Sequence, residues 1–312
     1  MSSKSDDSDF LMLNNLRAKY RVMSVKHLEQ LQNKIDKLHK EKKISQHETL
    51  QHYIGKFKFA VPEDFPEAKF VVVLAVECNL AKIPFHYKGK KYDVLLPGNY
   101  SALSKTPSEE IDAFVLEKII GQKNYRVQQT RQLHLKFLTT SSGLGKYGRN
   151  NISYVDEFGS FIELYAIFTD YEFDEDHYVE AKMMDKCEKC TVCIDRCPNQ
   201  CISRDNFIID VERCIPLYNE IQGEFPEWLV TDSHMAIMGC LHCQIPCPAN
   251  HVALKNMRQF EDITEEETKV LLSGEGDEEV ISTIFQKLQM FDAKHADYFL
   301  PVLKRNLEVL LK

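Results

Sequence analysis

The chain has 312 residues, of which 44% are hydrophobic and 28% are charged, and its formal net charge is −8. This composition is that of a globular chain long enough for two domains, and it excludes disordered and collagen-like proteins. The longest apolar run, residues 70–76, is too short to cross a bilayer, and the negative charge gives little electrostatic support for a nucleic-acid ligand.

The first nine residues are polar and acidic and lack the hydrophobic segment of an export signal. We therefore expect a cytoplasmic protein that does not associate with a membrane. Its expected partners are a small molecule or another protein rather than nucleic acid.

The first third of the chain predicts a helix, a strand and a loop. Over residues 25–43, leucine and isoleucine recur at steps of three and four, the pattern of a surface helix with one buried stripe. Residues 70–75 are continuously apolar and rich in valine, which predicts a buried strand. The predicted loop that follows contains Pro84, Gly89, Pro97 and Gly98.

The middle of the chain predicts two helices. Thr106 and Glu109 have the spacing of a capping box, which predicts a helix that runs to Ile120 and stops at Gly121. A second helix is predicted over residues 125–139.

The rest of the chain outside its cysteine-rich part predicts a turn, two strands and a helical tail. A second capping box begins at Thr264, and Gly274 is the predicted helix stop. The other predicted elements are a glycine-rich turn at 141–151, strands at 152–155 and 160–168, and helices at 278–291 and 297–311.

Nine of the ten cysteines are crowded at fixed spacing into one short stretch, which indicates metal ligation rather than disulfide bonding. The first run reads Cys187, Cys190, Cys193, Cys197 and Pro198. This is the spacing with which bacterial ferredoxins hold [4Fe–4S] clusters. Zinc is the alternative, but it usually takes two separated cysteine pairs, which leaves the third closely spaced cysteine and the proline unexplained.

A second run consists of Cys240, Cys243, Cys247 and Pro248, and Ile237 occupies its expected first position. Cys214 or Cys201 must supply the missing ligand if a second cluster is complete. We prefer Cys214, since Cys201 fits equally well as a small buried hydrophobic residue. In two-cluster ferredoxins the last cysteine of each run binds the other cluster. The predicted ligand sets are therefore Cys187, Cys190, Cys193 and Cys247 for the first cluster, and Cys197, Cys240, Cys243 and Cys214 for the second.

Two clusters in one module predict electron transfer from an external low-potential donor, such as a ferredoxin or flavodoxin, to an acceptor elsewhere in the protein. The element order predicts an α+β fold. It consists of an N-terminal α+β cofactor-binding domain (1–180), an inserted or following ferredoxin-like module with two clusters (181–255), and a helical C-terminal tail that packs on the first domain (256–312).

The glycine-rich turn matches the dinucleotide-binding pattern GxGxxG at Gly143, Gly145 and Gly148. That fingerprint follows a strand and opens a helix, whereas here helix-like residues precede the turn and predicted strands follow it. The glycines therefore indicate a tight turn, or a backbone that closely approaches another group.

The order of these motifs resembles that of the epoxyqueuosine reductase family, relatives of the reductive dehalogenases. The matching residues are Gly143-Leu144-Gly145, Gly148-Arg149-Asn150, Gly159-Ser160, the run from Cys187 to Pro198, Arg213-Cys214, and the run from Gly239 to Pro248. The resemblance implies an oxidoreductase in which two [4Fe–4S] clusters reduce a bound cobalamin, and it supports Cys214 as a cluster ligand. The cofactor-binding residues that it implies are Gly143, Leu144, Gly145, Tyr147, Gly148, Arg149 and Asn150.

The chain departs from this family where the proton donor is expected. The family pattern of Asp, Pro and Glu ahead of the turn falls on Gln129, Gln132 and Leu135, and none of these is an acid. Tyr147 and His134 are alternative donors, although packing is the commoner role for each, and the catalytic residues are not assigned. Arg149 replaces the family's lysine and is expected to pair with a cofactor group or with a carboxylate such as Asp156.

Two main functions follow from these observations. One is a reductase that acts on an unknown small molecule through cobalamin. The other is a non-catalytic electron-transfer or activator protein that reduces a corrinoid or another redox partner. A third hypothesis is a cofactor-binding or chaperone protein whose clusters are structural.

Overall fold

The computed structural model describes residues 10–55, 57–100, 106–290 and 295–312. The expectation drawn from the first nine residues, and the predicted end of a helix at Phe291, lie outside the described residues. No helix within these ranges is long and apolar enough to cross a membrane.

The N-terminal part is built on a five-stranded antiparallel sheet. Its order is β1 (Leu11–Leu13), β2 (Leu16–Ser24), β3 (Phe70–Glu77), β9 (Ile162–Thr169) and β6 (Val127–Thr130). The central strand β3 pairs with β2 and β9, and all eight of its residues are buried. The strand predicted at residues 70–75 is therefore confirmed. Its continuously apolar sequence is explained by its position, because a strand covered on both faces has no side chain in contact with water.

One face of this sheet is covered by α1 (Leu28–Lys40) and α4 (Leu135–Ser141), which enclose alternate residues of β3. A 3-10 turn, Val25–His27, leads into α1, and the buried stripe of α1 confirms the predicted amphipathic helix. A short helix, α2 (Glu48–Ile54), follows α1 in the chain.

The other face is covered by α3 (Ser108–Phe114), which continues as a π-helix over Val115–Ile120 and ends at Gly121 with a φ of +75°. The helix and its stop are confirmed, but the capping box is wrong. Pro107 is the residue that precedes the first helical residue, and it makes no side-chain cap hydrogen bond. The predicted cap, Thr106, therefore lies one residue too early.

Two other predictions for this part of the chain are wrong. The predicted loop is a hairpin of β4 (Ala81–Tyr87) and β5 (Lys90–Leu96), joined at Lys88 and Gly89, both at positive φ. Alternate apolar residues of β4 enter the core, and this burial outweighs the effect of one proline in the strand. The helix predicted over residues 125–139 is instead the edge strand β6 followed by α4.

The glycine-rich turn contains the short strand β7 (Lys146–Tyr147), which pairs with β8 (Ser153–Tyr154) just after the turn. The two strands predicted at residues 152–155 and 160–168 are present as β8 and β9, in different sheets. The cysteine-rich part has two helices of four residues, α5 (Val192–Asp195) and α6 (Pro216–Asn219), together with short 3-10 turns.

In the described residues of the tail, a short strand, β10 (Arg258–Gln259), precedes three helices, α7 (Glu265–Ser273), α8 (Glu278–Leu288) and α9 (Ala296–Leu310). The capping box at Thr264 and the stop at Gly274 are confirmed. These helices pack on the β4–β5 hairpin and on residues 237–238 of the cysteine-rich part. The mixed helices and sheets confirm the α+β fold, and the boundaries at 180 and 255 stay predictions.

Candidate iron–sulfur centre

One group of four cysteine side chains lies around the 3-10 turn Asp185–Cys187 and helix α5. It contains Cys187, Cys190, Cys193 and Cys247. Burial raises the pKa of Cys193 to about 11, and the thiols of the other three add to this shift. Such a site favours neutral thiols, so metal binding here would displace protons.

A second group of five cysteines lines one cavity of about 190 Å³. It contains Cys197, Cys201, Cys214, Cys240 and Cys243. Burial raises the pKa of Cys240 to about 11 and also raises that of Cys243. Cys193 of the first group is among the electrostatic neighbours of Cys243, so the two groups lie close to each other.

The cysteines therefore fall into the two sets that the ferredoxin crossover predicts, with Cys201 as an unexpected addition to the second. Ile237 lies in the hydrophobic core, packed with the β4–β5 hairpin and the tail helices. In the described part of the chain, no three or more His, Cys, Asp or Glu side chains are arranged to hold a single metal ion. A cubane takes each cysteine on a different iron, so its ligands need not converge on one point. The assignment of individual ligands stays a prediction.

Two side chains beside the second group contribute other chemistry. The His242 ring contacts the Ser233 carbonyl oxygen, so it shapes the loop between Cys240 and Cys243. Lys136 of α4 reaches the wall of the cavity, and its Nζ donates to the carbonyl oxygen of Asn151 over 3.3 Å. Burial lowers the pKa of Lys136, and the nearby Cys214 opposes that shift.

Arg149 joins the glycine-rich turn to the first cysteine group. Its Nη2 donates to the carbonyl oxygen of Cys187 over 2.6 Å, and its Nη1 donates to that of Arg204 over 3.3 Å. The expected pairing with a carboxylate such as Asp156 is therefore wrong. The guanidinium instead holds the backbone of the loop that carries Cys187.

The glycines of the turn allow close packing against Tyr154. A Cβ on Gly145 would lie 2.6 Å from the Tyr154 carbonyl oxygen, and one on Gly148 would lie 2.5 Å from the Tyr154 ring. Asn150 donates from Nδ2 to the Tyr154 hydroxyl over 2.9 Å and to the Cys243 carbonyl oxygen over 3.4 Å. The turn thus connects α4 to both cysteine loops.

This packing bears on the cobalamin expected at the turn. Leu144 and Tyr147 are buried, and the Tyr147 ring packs edge-on against Phe207. Between residues 141 and 150 only Gly143 and Lys146 are exposed. The seven turn residues therefore do not fit direct side-chain contact with a large corrin ring, and they fit a role in positioning the cysteine loops.

Gly159 and Ser160 dock the start of β9 onto the second cysteine run, a contact that the sequence did not reveal. The backbone nitrogen of Ser160 donates to Asn250 Oδ1 over 2.8 Å, and its Oγ donates to Gln244 Oε1 over 2.8 Å. A Cβ on Gly159 would lie 2.2 Å from Asn250 Oδ1. Asn250 is fully buried, and only its position soon after Pro248 hinted at a role.

The position of the expected acid has an acidic neighbour that sequence reasoning missed. Gln129 donates from Nε2 to Asp112 Oδ1 and to the Ser108 carbonyl oxygen, both over 2.8 Å. Burial raises the pKa of Asp112. Gln132 is exposed, and Leu135 is the first residue of α4.

The two alternative proton donors do not replace the missing acid. Nδ1 of His134 accepts a hydrogen bond from the Phe137 amide and caps α4, and burial lowers the pKa of the ring to about 3. His134 is therefore neutral near pH 7, where it lacks the imidazolium proton that a general acid would donate. Burial raises the pKa of Tyr147, which makes that hydroxyl a poorer acid.

Comparison with known families defines the class of the protein. A family described as "4Fe-4S double cluster binding domain" matches residues 186–250, the segment that holds both cysteine groups. The chain thus contains an iron–sulfur domain of the double-cluster kind.

Curated relatives named epoxyqueuosine reductase match a larger part of the chain. The protein from Bacillus anthracis is 26% identical over 183 residues, which cover 57% of this chain and 47% of that protein. The protein from Cellulophaga algicola is 27% identical over 239 residues, 73% of this chain and 70% of that protein. The chain spans about half the length of the first of these relatives.

Solved structures of epoxyqueuosine reductases share the fold over almost the whole chain. The enzyme from Streptococcus thermophilus matches 94% of this chain and 76% of its own, with a TM-score of 0.62 and 18% identity. Another, solved with an epoxyqueuosine-modified tRNA-Tyr stem loop, covers the same shares with a TM-score of 0.63 and 19% identity. The predicted resemblance to the epoxyqueuosine reductase family is confirmed.

Proposed function

We propose that the chain is a cytoplasmic iron–sulfur oxidoreductase whose two [4Fe–4S] clusters carry electrons from an external donor, such as a ferredoxin or flavodoxin, to an acceptor bound by the α+β domain. The observation that carries this proposal is the separation of nine cysteines into two adjacent groups. The proposed ligands are Cys187, Cys190, Cys193 and Cys247 for the first cluster, and Cys197, Cys214, Cys240 and Cys243 for the second.

Electron transfer needs the two clusters to be close, and the structure supports this. Cys193 and Cys243, one from each proposed ligand set, are electrostatic neighbours. Arg149 and Asn150 hydrogen-bond to Cys187 and Cys243, one from each cysteine group, and Ser160 hydrogen-bonds to Gln244 beside Cys243. An electron entering at one cluster therefore has a short route to the other and to the α+β domain.

Cobalamin is the acceptor that the family resemblance suggests, and the shared fold supports it. When bound and reduced, cobalamin supplies a nucleophilic cobalt. Because most side chains of the turn at residues 143–150 are buried, we expect contacts from its side chains to be few and other residues of the α+β domain to hold most of the corrin.

The second candidate is an electron-transfer or activator protein that hands its electrons to another redox partner. It is favoured by the absence of an acid at Gln129 and by the neutral state of His134, since these leave the site without the expected proton donor. In this case the acceptor is a protein-bound cofactor rather than a substrate of this chain.

The first experiment is anaerobic purification with iron and sulfide analysis, followed by electron paramagnetic resonance of the dithionite-reduced protein. About eight irons per chain and the spectrum of two interacting clusters are expected. A Cys78→Ala variant is the matched control, because Cys78 lies outside both cysteine groups and should leave the iron content unchanged. Zinc in place of iron, or fewer than about four irons, would overturn the proposal.

The second experiment separates the two candidates. Hydroxocobalamin is added to the iron-loaded chain, and its visible spectrum is followed before and after reduction. A base-off cobalt spectrum supports the cobalamin-dependent reductase, and the next trials are small molecules and an epoxyqueuosine-modified tRNA stem loop. An unchanged cobalamin spectrum favours the electron-transfer protein.

A further inference from the structure

The second cysteine group has one thiol more than a cubane can use. Five cysteines line its cavity, and a [4Fe–4S] cluster takes four. The Sγ atoms of Cys197 and Cys201 lie 3.2 Å apart, and the Cys201 amide donates to Cys197 Sγ over 3.4 Å. The Cys201 thiol also has Cys214 as a hydrogen-bonding neighbour, but Cys197 is the cysteine that it contacts through both its sulfur and its amide. Four ligands surround a cubane on four sides, so this double contact places Cys201 beside the corner that Cys197 takes.

The backbone holds Cys201 in this position from both sides. Gln200 has a φ of +54°, a left-handed conformation that turns the chain back, and its amide donates to the Cys197 carbonyl oxygen over 3.2 Å. On the other side, the Cys201 carbonyl oxygen accepts a hydrogen bond from the Asp210 amide over 2.8 Å. A residue that served only as a small buried hydrophobe would not need a strained neighbour to place it.

We propose that Cys201 is a reserve ligand for the corner of the second cluster that Cys197 holds. This rests on the proposed function, since it requires the second cluster. In the exchange, the iron–sulfur bond to Cys197 breaks and one to Cys201 forms. The thiol proton of Cys201 passes to Cys197, and no electron is transferred. While Cys197 is the ligand, the Cys201 thiol donates a hydrogen bond to its sulfur.

The test compares iron and sulfide content in four anaerobically purified variants. Cys201→Ala and Cys197→Ala should each keep about eight irons, and the double variant should keep about four. Cys190→Ala is the reference for a ligand without a reserve, because its group holds no fifth cysteine, and it should keep about four irons. If Cys197→Ala holds no more iron than the double variant, Cys201 is not a reserve ligand.

A second measurement needs no loss of a ligand. Hydrogen bonds to cluster sulfurs raise the reduction potential, so Cys201→Ala should lower the potential of the second cluster and leave that of the first unchanged. Equal potentials in the variant and the native chain would contradict the contact between the two sulfurs. The two failures can be told apart. A native chain that lacks a second cluster would overturn the proposed function, whereas a native chain with two clusters and a Cys197→Ala variant with one would overturn only the role of Cys201.

Discussion

The side chain of Asn219 binds both backbone polar groups of Gly239. Its Nδ2 donates to the Gly239 carbonyl oxygen over 2.7 Å, and the Gly239 amide donates to its Oδ1 over 3.1 Å. Gly239 directly precedes Cys240, a proposed ligand of the second cluster. Asn306 of α9 donates to the carbonyl oxygens of Asn219 and Ile237, each over 2.7 Å, so the last helix supports this loop.

Replacing Asn219 with alanine should therefore destabilise the second cluster more than the first. The substitution leaves a buried amide and a buried carbonyl without partners, at a cost of about 1–3 kcal/mol each. We expect a lower unfolding midpoint and faster release of about half of the iron to a chelator. Asn206→Ala, on an exposed turn of the same module, is the control. Equal release of iron from both clusters would count against this role of Asn219.

Gly159 tests whether β9 must approach the second cysteine run closely. In Gly159→Ala the new Cβ would meet Asn250 Oδ1 at 2.2 Å, and the backbone has a φ of +62°. Gly89→Ala is a matched control, because its φ is +69° and nothing lies within 4 Å of its Cβ position. The control should cost about 1–2 kcal/mol from backbone strain alone.

Gly159→Ala should cost clearly more than this control in chemical unfolding, because the clash adds to the strain and displaces a hydrogen-bonded side chain. It should also reduce the iron content, since Asn250 and Gln244 flank Cys247. Equal losses of stability in the two variants would show that the close approach of Gly159 to Asn250 does not contribute to stability.

These contacts show what the sequence could and could not predict. The cysteine spacing, the apolar run of β3 and the capping box at Thr264 are local signals, and each predicted its feature. The β4–β5 hairpin was missed because Pro84 and Gly89 are local signals of a loop, while the alternation that buries β4 gains much of its energy from residues distant in the chain, chiefly those of the tail helices.

The features of the site also differ in whether a local pattern predicts them. The fixed spacing of the cysteines predicted the two cysteine groups. The contacts of Asn219 with Gly239 and of Asn250 with Gly159 join residues 20 and 91 positions apart, so no local pattern could indicate them. Arg149 was noticed, but its partner is a backbone carbonyl, which any residue at position 187 would provide.

Glu220 should make stability depend on pH. Its carboxylate accepts a hydrogen bond from the Tyr100 hydroxyl, and burial raises the pKa of Glu220 to about 7 from an ordinary value of 4.5. Between these values the folded chain binds more protons than the unfolded chain. The stability from this group is therefore complete below about pH 4.5 and is lost as the pH rises to about 7, by at most about 3 kcal/mol.

Glu220→Gln removes the titration and keeps an oxygen acceptor for Tyr100. The variant should therefore gain stability relative to the native chain as the pH is raised from 5.5 to 8, as measured by chemical unfolding at each pH. A difference between the two proteins that stays constant over this range would contradict a buried, titrating Glu220.

Lys136 should set the potential of the second cluster through its charge. Its ammonium lies at the wall of the cavity lined by five cysteines, and among the described residues it donates a hydrogen bond to the carbonyl oxygen of Asn151. Reduction adds a negative charge to the cluster, and a nearby cation in a medium of low dielectric constant favours that step.

Lys136→Met should lower the potential of the second cluster, as followed by electron paramagnetic resonance during redox titration, whereas Lys136→Arg should keep it near the native value. The first cluster serves as the internal reference in each sample. If Lys136→Met changes both potentials equally, or neither, the charge does not act on the second cluster and the lysine only packs against Asn151.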